Sequence, residues 1–317
     1  MKTGGEKIIS LFRKKGIIMN KKCIYLIYFL LLFSTACEDK KNQIPTGENI
    51  IPSEEITLET CNENINDNIP SFFMKYFKCV DIELTDNQVV ITTDGIPPHQ
   101  SWYFSGDHPN NIDFMSQGNG YYKNPNMILS QNIVISIPVS PNPKEIQITE
   151  SEVDGFVNSS IQEFGMGPVG VALDGVSLFN SLAAPGDDIE NEKFSFDYYN
   201  GHPEMSGTYH YHTTTKGPLE VLEYQGIIQT PTPGSGEIEV YGIMCDGTVI
   251  LGCTELDGSS PNSIELDAQN GHIHDLIDDE GTIHFTERYH THICPDQFPN
   301  HNFTPEIQYY DDCNRSF

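Results

Sequence analysis

The chain has 317 residues, with 45 Asp and Glu against 17 Lys and Arg, a formal charge of -28. So acidic a surface repels phosphate backbones, which excludes nucleic acid as a partner and leaves metal ions or small cationic ligands as the electrostatically suited visitors. With 26 glycines and 20 prolines, much of the chain must run as turn and loop.

At the start, Lys21 and Lys22 precede an apolar run from Ile24 to Phe33 that is too short to span a bilayer comfortably, so it reads as a secretory signal. The run ends in Ser34-Thr35-Ala36-Cys37, small residues leading into a cysteine, which resembles a bacterial lipobox. The usual Leu three residues before the cysteine is absent. Residues 1–36 are thus the expected signal, with Met19 as a second candidate start. Cys37 is the candidate lipidation site, tying an exported protein to the outer membrane, on its periplasmic face or at the cell surface. Cleavage there removes seven basic residues and one Glu, leaving 10 basic against 44 acidic residues and a charge of -34. Residues 37–58 are polar and read as a flexible tether.

Residues 59–317 contain no Pro/Ser linker that would divide them and are expected to form a single all-β domain, mainly antiparallel with long loops and little helix. Val80 to Thr92 and Gln131 to Val139 alternate apolar and polar residues in a β-branched context. Val153 to Phe164 is the one expected short helix, and Leu219 to Gln229 fits strand or helix. Six cysteines remain after the signal and Cys37, and an even count in an exported chain points to disulfides. They fall into sequence-local couples, giving the expected pairs Cys61 with Cys79, Cys245 with Cys253, and Cys294 with Cys313.

The second half carries an internal repeat, with units at about 168–215 and 240–294. Gly170 to Asn180 (GVALDGVSLFN) is echoed by Gly242 to Gly252 (GIMCDGTVILG), each an apolar hairpin turning at Asp-Gly. Downstream of each comes Asp-x-x-Asn-Gly-His: Asp197, Asn200 and His202, then Asp267, Asn270 and His272. Gly-Thr-x-His-aromatic follows, ending at His210 in the first unit and His284 in the second. Such units are expected to pack about a pseudo-twofold, with one shared site or two.

Nine of the eleven histidines lie between 202 and 301. In the strand-like Tyr209-His210-Tyr211-His212, residues i and i+2 share a face, so both imidazoles point one way and both tyrosines the other. His210 and His212 can then reach one ion, at about 2.0–2.1 Å if it is zinc, with His202 as a third nitrogen. The same logic brings His290 and His292 together, with His272, His274 and His284 close in sequence. Asp197 and Asp267 suit either of two roles: orienting the imidazoles from behind, or closing turns ahead of Asn200-Gly201 and Asn270-Gly271. Zinc or copper suits an imidazole-rich shell better than calcium does. The acidic run at Asp278 to Gly281 reads as a turn, because an EF-hand alignment puts Leu276 at the first ligand position.

Gly207 to His212 resembles the signature of the YHYH domain family. Asp94-Gly95-Ile96-Pro97-Pro98-His99 fits that family's asparagine-glycine-x-proline-x-histidine step, with Asp in place of Asn. Asn124-Pro125-Asn126 fits its Asn-Pro-Asn segment, and the Asp-Gly hairpins its repeated turns. The resemblance spans about Val80 to Cys294 and adds His99 to the candidate site. It implies a secreted or surface protein and no agreed reaction, so no catalytic residue is assigned. Three functions stay open: transition-metal binding without turnover, a metal-dependent hydrolase or oxidase, and a surface interaction module whose histidines are structural.

Overall fold

The computed structural model describes residues 51–157, 162–262, 265–295 and 303–317. Cys37, the signal, most of the tether and His301 lie outside them. From Ile51 onward the chain already lies against the domain: Ile56 is buried, and its backbone N–H donates to Asn110 Oδ1 at 2.9 Å. Among the described residues no helix is long and apolar enough to cross a membrane.

Among the described residues thirteen strands form two sheets. The smaller holds β1 (Asn64–Ile65), β2 (Asp81–Thr85), β3 (Gln88–Thr93), β4 (Ile133–Pro138) and, from the C-terminus, β13 (Asn314–Ser316), in that spatial order. The stretch Val80 to Thr92 is two strands, because Asp86 and Asn87 both take left-handed φ (49° and 64°) and fold it into a hairpin. Side chains of β3 and β4 alternate between buried and half-buried, the mark of one face turned to the core. Helix α1 (Ser71–Tyr76) lays Phe72 and Phe73 against Phe285.

The larger sheet is built from the repeat. Its strands are β5 (Gly170–Ala172), β6 (Ser177–Leu178), β7 (Gly201–Pro203), β8 (Tyr209–Tyr211), β9 (Val240–Met244), β10 (Val249–Leu251), β11 (Gly271–Ile277) and β12 (Ile283–His292). Their order is β11-β12-β10-β9-β5-β6-β8-β7, which is the first unit β5 to β8 mirrored by the second unit β9 to β12. The seam is the antiparallel pair β5 and β9, where Val171 lies opposite Ile243, its own counterpart in the repeat. A twofold through that pair stands perpendicular to the sheet, as the duplication predicts. In each unit the hairpin turns at Asp-Gly, with Gly175 and Gly247 at positive φ (81° and 101°). The second strand of each hairpin then runs parallel to a histidine-bearing strand, β6 beside β8 and β10 beside β12.

Two helical expectations resolve differently. Gly217–Tyr224 is helix α3, with Pro218 in its first turn; α2 (Ile189–Glu192) is a single turn capped by Asp188, whose side chain accepts from the Glu190 N–H. The described part of Val153 to Phe164 is not helical: it is turn and loop, and Glu163 bridges to Ile307. Tertiary pairing with the C-terminal segment overrides its weak helical pattern there.

Cys61 pairs with Cys79 as expected, but the other two couples are exchanged: Cys245 bonds Cys313, and Cys253 bonds Cys294. The reason is strand order. Leu251 of β10 lies beside His292 of β12, so Cys253 and Cys294, two residues further on, leave the sheet together. Cys253 by contrast sits next to Glu239, six residues along β9 from Cys245, a separation of about 20 Å that a disulfide cannot cross.

Candidate metal centres

Each histidine strand pair is set up by the same local device. In the first unit Asp197 closes a turn: its Oδ1 accepts from the N–H of Tyr199 at 2.9 Å and of Gly201 at 3.3 Å, and Asn200 takes φ 55°. The Asp197 carboxylate also accepts the buried Tyr209 hydroxyl at 2.8 Å. Asp267, Asn270, Gly271 and Tyr289 repeat this, with Asn270 at φ 57° and Tyr289 Oη 2.7 Å from Asp267 Oδ2. Glycine is required after each asparagine because a Cβ there would lie 2.5 Å from Tyr209 Oη or 2.0 Å from Tyr289 Oη. Both aspartates therefore close turns and hold the tyrosine layer; neither bonds an imidazole, which corrects the imidazole-orienting alternative.

Across the first pair His202 lies directly opposite His210, and His212 follows two residues on along the same face. All three rings are buried, and Phe179 stacks on His210 with ring centroids 3.7 Å apart. Their Nε2 atoms converge: His202 to His210 is 3.1 Å and His210 to His212 is 2.9 Å. The opposite nitrogens of His210 and His212 are occupied as donors. His210 Nδ1 donates to Thr208 O at 2.9 Å and His212 Nδ1 to Asn180 O at 2.6 Å, and a carbonyl can only accept. His202 Nδ1 lies 2.6 Å from Ser195 Oγ and 3.5 Å from Asn124 Nδ2. The Nε2 lone pairs of His210 and His212 thus face one small volume, with His202 Nε2 beside them.

Burial keeps these rings neutral. It pushes His202 and His210 well below the usual histidine range, helped by repulsion among the rings, and brings His212 down to about 4. The cluster opens on a cleft of about 600 Å³ whose lining includes Asp187, Asp188, Glu192 and Met205. Glu192 Oε1 reaches within 3.4 Å of His202 Nε2; burial, with Asp187 nearby, raises its carboxyl to about 7.

The second unit forms its own cluster. His272 pairs opposite His290, and His292 follows on β12. Here the carboxylate of Glu255 stands among four imidazoles: Oε1 lies 3.1 Å from His272 Nε2 and 3.4 Å from His292 Nε2, while Oε2 lies 3.1 Å from His274 and 3.2 Å from His290. His290 Nδ1 donates to Arg288 O and His292 Nδ1 to Gly252 O, both at 2.9 Å, the counterparts of the Thr208 and Asn180 contacts. Burial brings His290 down to about 4. At Glu255 burial works upward, but the imidazoles of His272, His290 and His292 packed around it outweigh it and hold the carboxyl well below its ordinary range. This cluster faces a separate cleft of about 700 Å³ that also holds Asp257, Glu265, Asp275 and Glu287. Four strands lie between β8 and β12, so the two clusters are about 24 Å apart.

Two candidate residues stay outside both clusters. His99 lies under the tyrosine layer, stacked on Tyr199 at 3.5 Å, with Nε2 2.8 Å from Tyr211 Oη. His284 bonds Asp278 Oδ2 at 3.0 Å and Ser71 Oγ at 2.8 Å. The matched Gly-Thr elements are hairpin turns, not matched histidines: Thr208 N–H donates to the Glu204 carboxylate and Thr282 N–H to that of Asp278. The second hairpin is ten residues longer and carries bulges between His274 and Ile277, so His290, not His284, occupies the place of His210. Glu255 and Glu192 were not foreseeable as site residues, since one carboxylate among 45 acidic residues carries no pattern of its own.

Residues 152–269 match the family model described as YHYH protein. The chain contains a YHYH segment. The match takes in His202, His210 and His212 and stops before His272, so the second cluster lies beyond it; it is also narrower than the Val80 to Cys294 stretch that carries the resemblance. No curated protein and no solved structure compared with the chain matches it. Side chains of the YHYH segment and of its duplicate thus form two groups able to hold a metal ion, and the three disulfides suit an extracellular or periplasmic protein.

Proposed function

We propose that the protein is an exported lipoprotein, anchored through Cys37, whose YHYH segment binds a transition metal ion, zinc or copper, through His202, His210 and His212. One observation carries this reading. Three buried Nε2 atoms lie 2.9–3.1 Å apart in sequence along the cluster, with His210 and His212 each having given its only proton to a carbonyl on the other side. Bare lone pairs at that spacing repel, and a cation removes the repulsion while a buried extra proton is disfavoured. Nitrogen donors and the absence of a carboxylate among the three favour zinc or copper over calcium.

A second reading, metal-dependent hydrolysis, is favoured by Glu192. Zinc held by three protein nitrogens keeps a fourth position for water or substrate. Glu192 stands at the edge of the cluster where the cleft reaches it, able to accept a proton from a molecule bound there.

The test is elemental analysis of mature protein purified without a His-tag, beside the His210→Ala/His212→Ala variant. The variant should carry about one equivalent less of zinc or copper. Equal metal content in the two proteins sinks the proposal. Lipid anchoring is checked separately by the mass of the mature N-terminus and by its loss in Cys37→Ser.

A further inference from the structure

The duplicated unit keeps the scaffold of the first and changes its donors. Counting from the carbonyls that accept the last histidine of each cluster, Asn180 and Gly252, the third residue on is Ala183 in the first unit and Glu255 in the second. Two residues after the paired His202 and His272 come Glu204, which caps a turn, and His274, which turns into the cluster. The second cluster therefore has one carboxylate and one imidazole that the first lacks.

Glu255, His272, His274 and His290 each offer an atom within 4.8 Å of the others, and His292 Nε2 adjoins at 3.2 Å from His272 Nε2. His274, His290 and His292 all donate from Nδ1 to backbone carbonyls, so in the neutral state their Nε2 atoms have no proton to give Glu255. The carboxylate would then sit lone pair against lone pair at 3.1–3.4 Å. A divalent cation among Glu255, His272, His274 and His290 gives each of those facing lone pairs a partner.

We infer that Glu255, His272, His274 and His290, with His292 adjoining, form a second metal site, independent of the YHYH cluster, that takes copper(II) or nickel(II) in a shell of mixed nitrogen and carboxylate donors. For a given set of nitrogen and oxygen donors copper(II) binds more tightly than zinc. Tetragonal nitrogen and oxygen shells suit copper(II) and nickel(II). Four protein donors with His292 adjoining leave less room for substrate than three do, so this site holds its ion and the YHYH cluster exchanges its fourth ligand. The half-exposed His274 lines the cleft with Glu255 and His272, and an ion can enter there.

The experiment is equilibrium dialysis of metal-stripped mature protein against Cu²⁺ alone and against Cu²⁺ with competing Zn²⁺, read by elemental analysis and electron paramagnetic resonance. Wild type should bind two equivalents of copper with two distinct spectra. His210→Ala/His212→Ala should keep one, held against zinc; adding Glu255→Gln should weaken that one at least about tenfold and change its spectrum. Should Glu255→Gln fail to fold, judged by melting in chelator, His274→Ala removes a ligand at a half-exposed position instead. One equivalent in wild type, lost in His210→Ala/His212→Ala, overturns the second site and leaves the first. One equivalent lost only with Glu255→Gln or His274→Ala overturns the first and leaves the second. A residual copper indifferent to both of those changes also overturns this inference.

Discussion

Burial of the YHYH cluster makes an unusual demand on the pH dependence of metal binding. For three ordinary imidazoles, with values near 6.5, going from about pH 7 to about pH 5 costs about 25-fold in affinity per ring, or about 10⁴-fold for the set, because protons compete for the same lone pairs. His212 is brought down to about 4 by burial, and His202 and His210 are pushed well below their ordinary value by burial and by their neighbours. Rings already neutral at about pH 5 lose almost nothing, so affinity should change by less than about tenfold over that interval. The assay is competition against a chromophoric chelator whose own proton dependence is calibrated, using the Glu255→Gln/His290→Ala background so that only the first cluster reports. A fall of about 10³-fold or more would show that the rings titrate as exposed histidines do and would refute the buried geometry. The same shift sets a stability trend for the metal-free protein. Native rings bind fewer protons than unfolded ones between the ordinary value of 6.5 and about 4, so stability is lost as pH falls through that window.

Gly201→Ala should destabilise the protein by about 3–5 kcal/mol, since its Cβ displaces the buried Tyr209 ring and breaks the bonds to Asp197. Denaturant melts check this, and in a Tyr209→Phe background the added cost of the alanine should shrink. Replacing Cys253 and Cys294 by serine should cost about 4 kcal/mol, for a cross-link spanning 41 residues, and should weaken copper binding at the Glu255 cluster while leaving the YHYH cluster unchanged. Glu192→Gln should leave zinc content intact, because three nitrogens remain, yet abolish any hydrolytic turnover found; unchanged turnover would remove Glu192 from the chemistry.

How much of this was legible depends on how local the determinants are. The hairpins at Asp174-Gly175 and Asp246-Gly247 and the facing of His210 and His212 follow from two-residue periodicity and turn chemistry, both written in adjacent residues. The pseudo-twofold followed from the repeat. The disulfides did not, because Cys253 meets Cys294 only through the parallel pairing of β10 with β12, a long-range choice that sequence-local couples miss. His284 was matched to His210 because the Gly-Thr turn is a strong local signal, whereas hairpin length and its bulges are not. The pattern carrying His99 points to a real neighbour of the site, but its side chain serves the tyrosine layer.

That layer explains why the two copies could diverge in their donors. In the first, Tyr211 Oη joins Asp174 Oδ2 at 2.9 Å to His99 Nε2 at 2.8 Å, tying the histidine strand to the hairpin behind it and to the preceding loop. In the second, Thr291 stands where Tyr211 does, its Oγ1 buried without a partner among the described residues, and Asp246 accepts instead from the N–H groups of Tyr309 and Tyr310. The polar link is gone, and the covalent bond from Cys253 to Cys294 joins the same two neighbouring strands. A hydrogen-bonded backing holds the strand only while all of its groups stay paired, so the residues of the first copy are constrained together. A disulfide fixes the strands regardless of what the side chains do, so the donors of the second copy could change without loosening the strand pair.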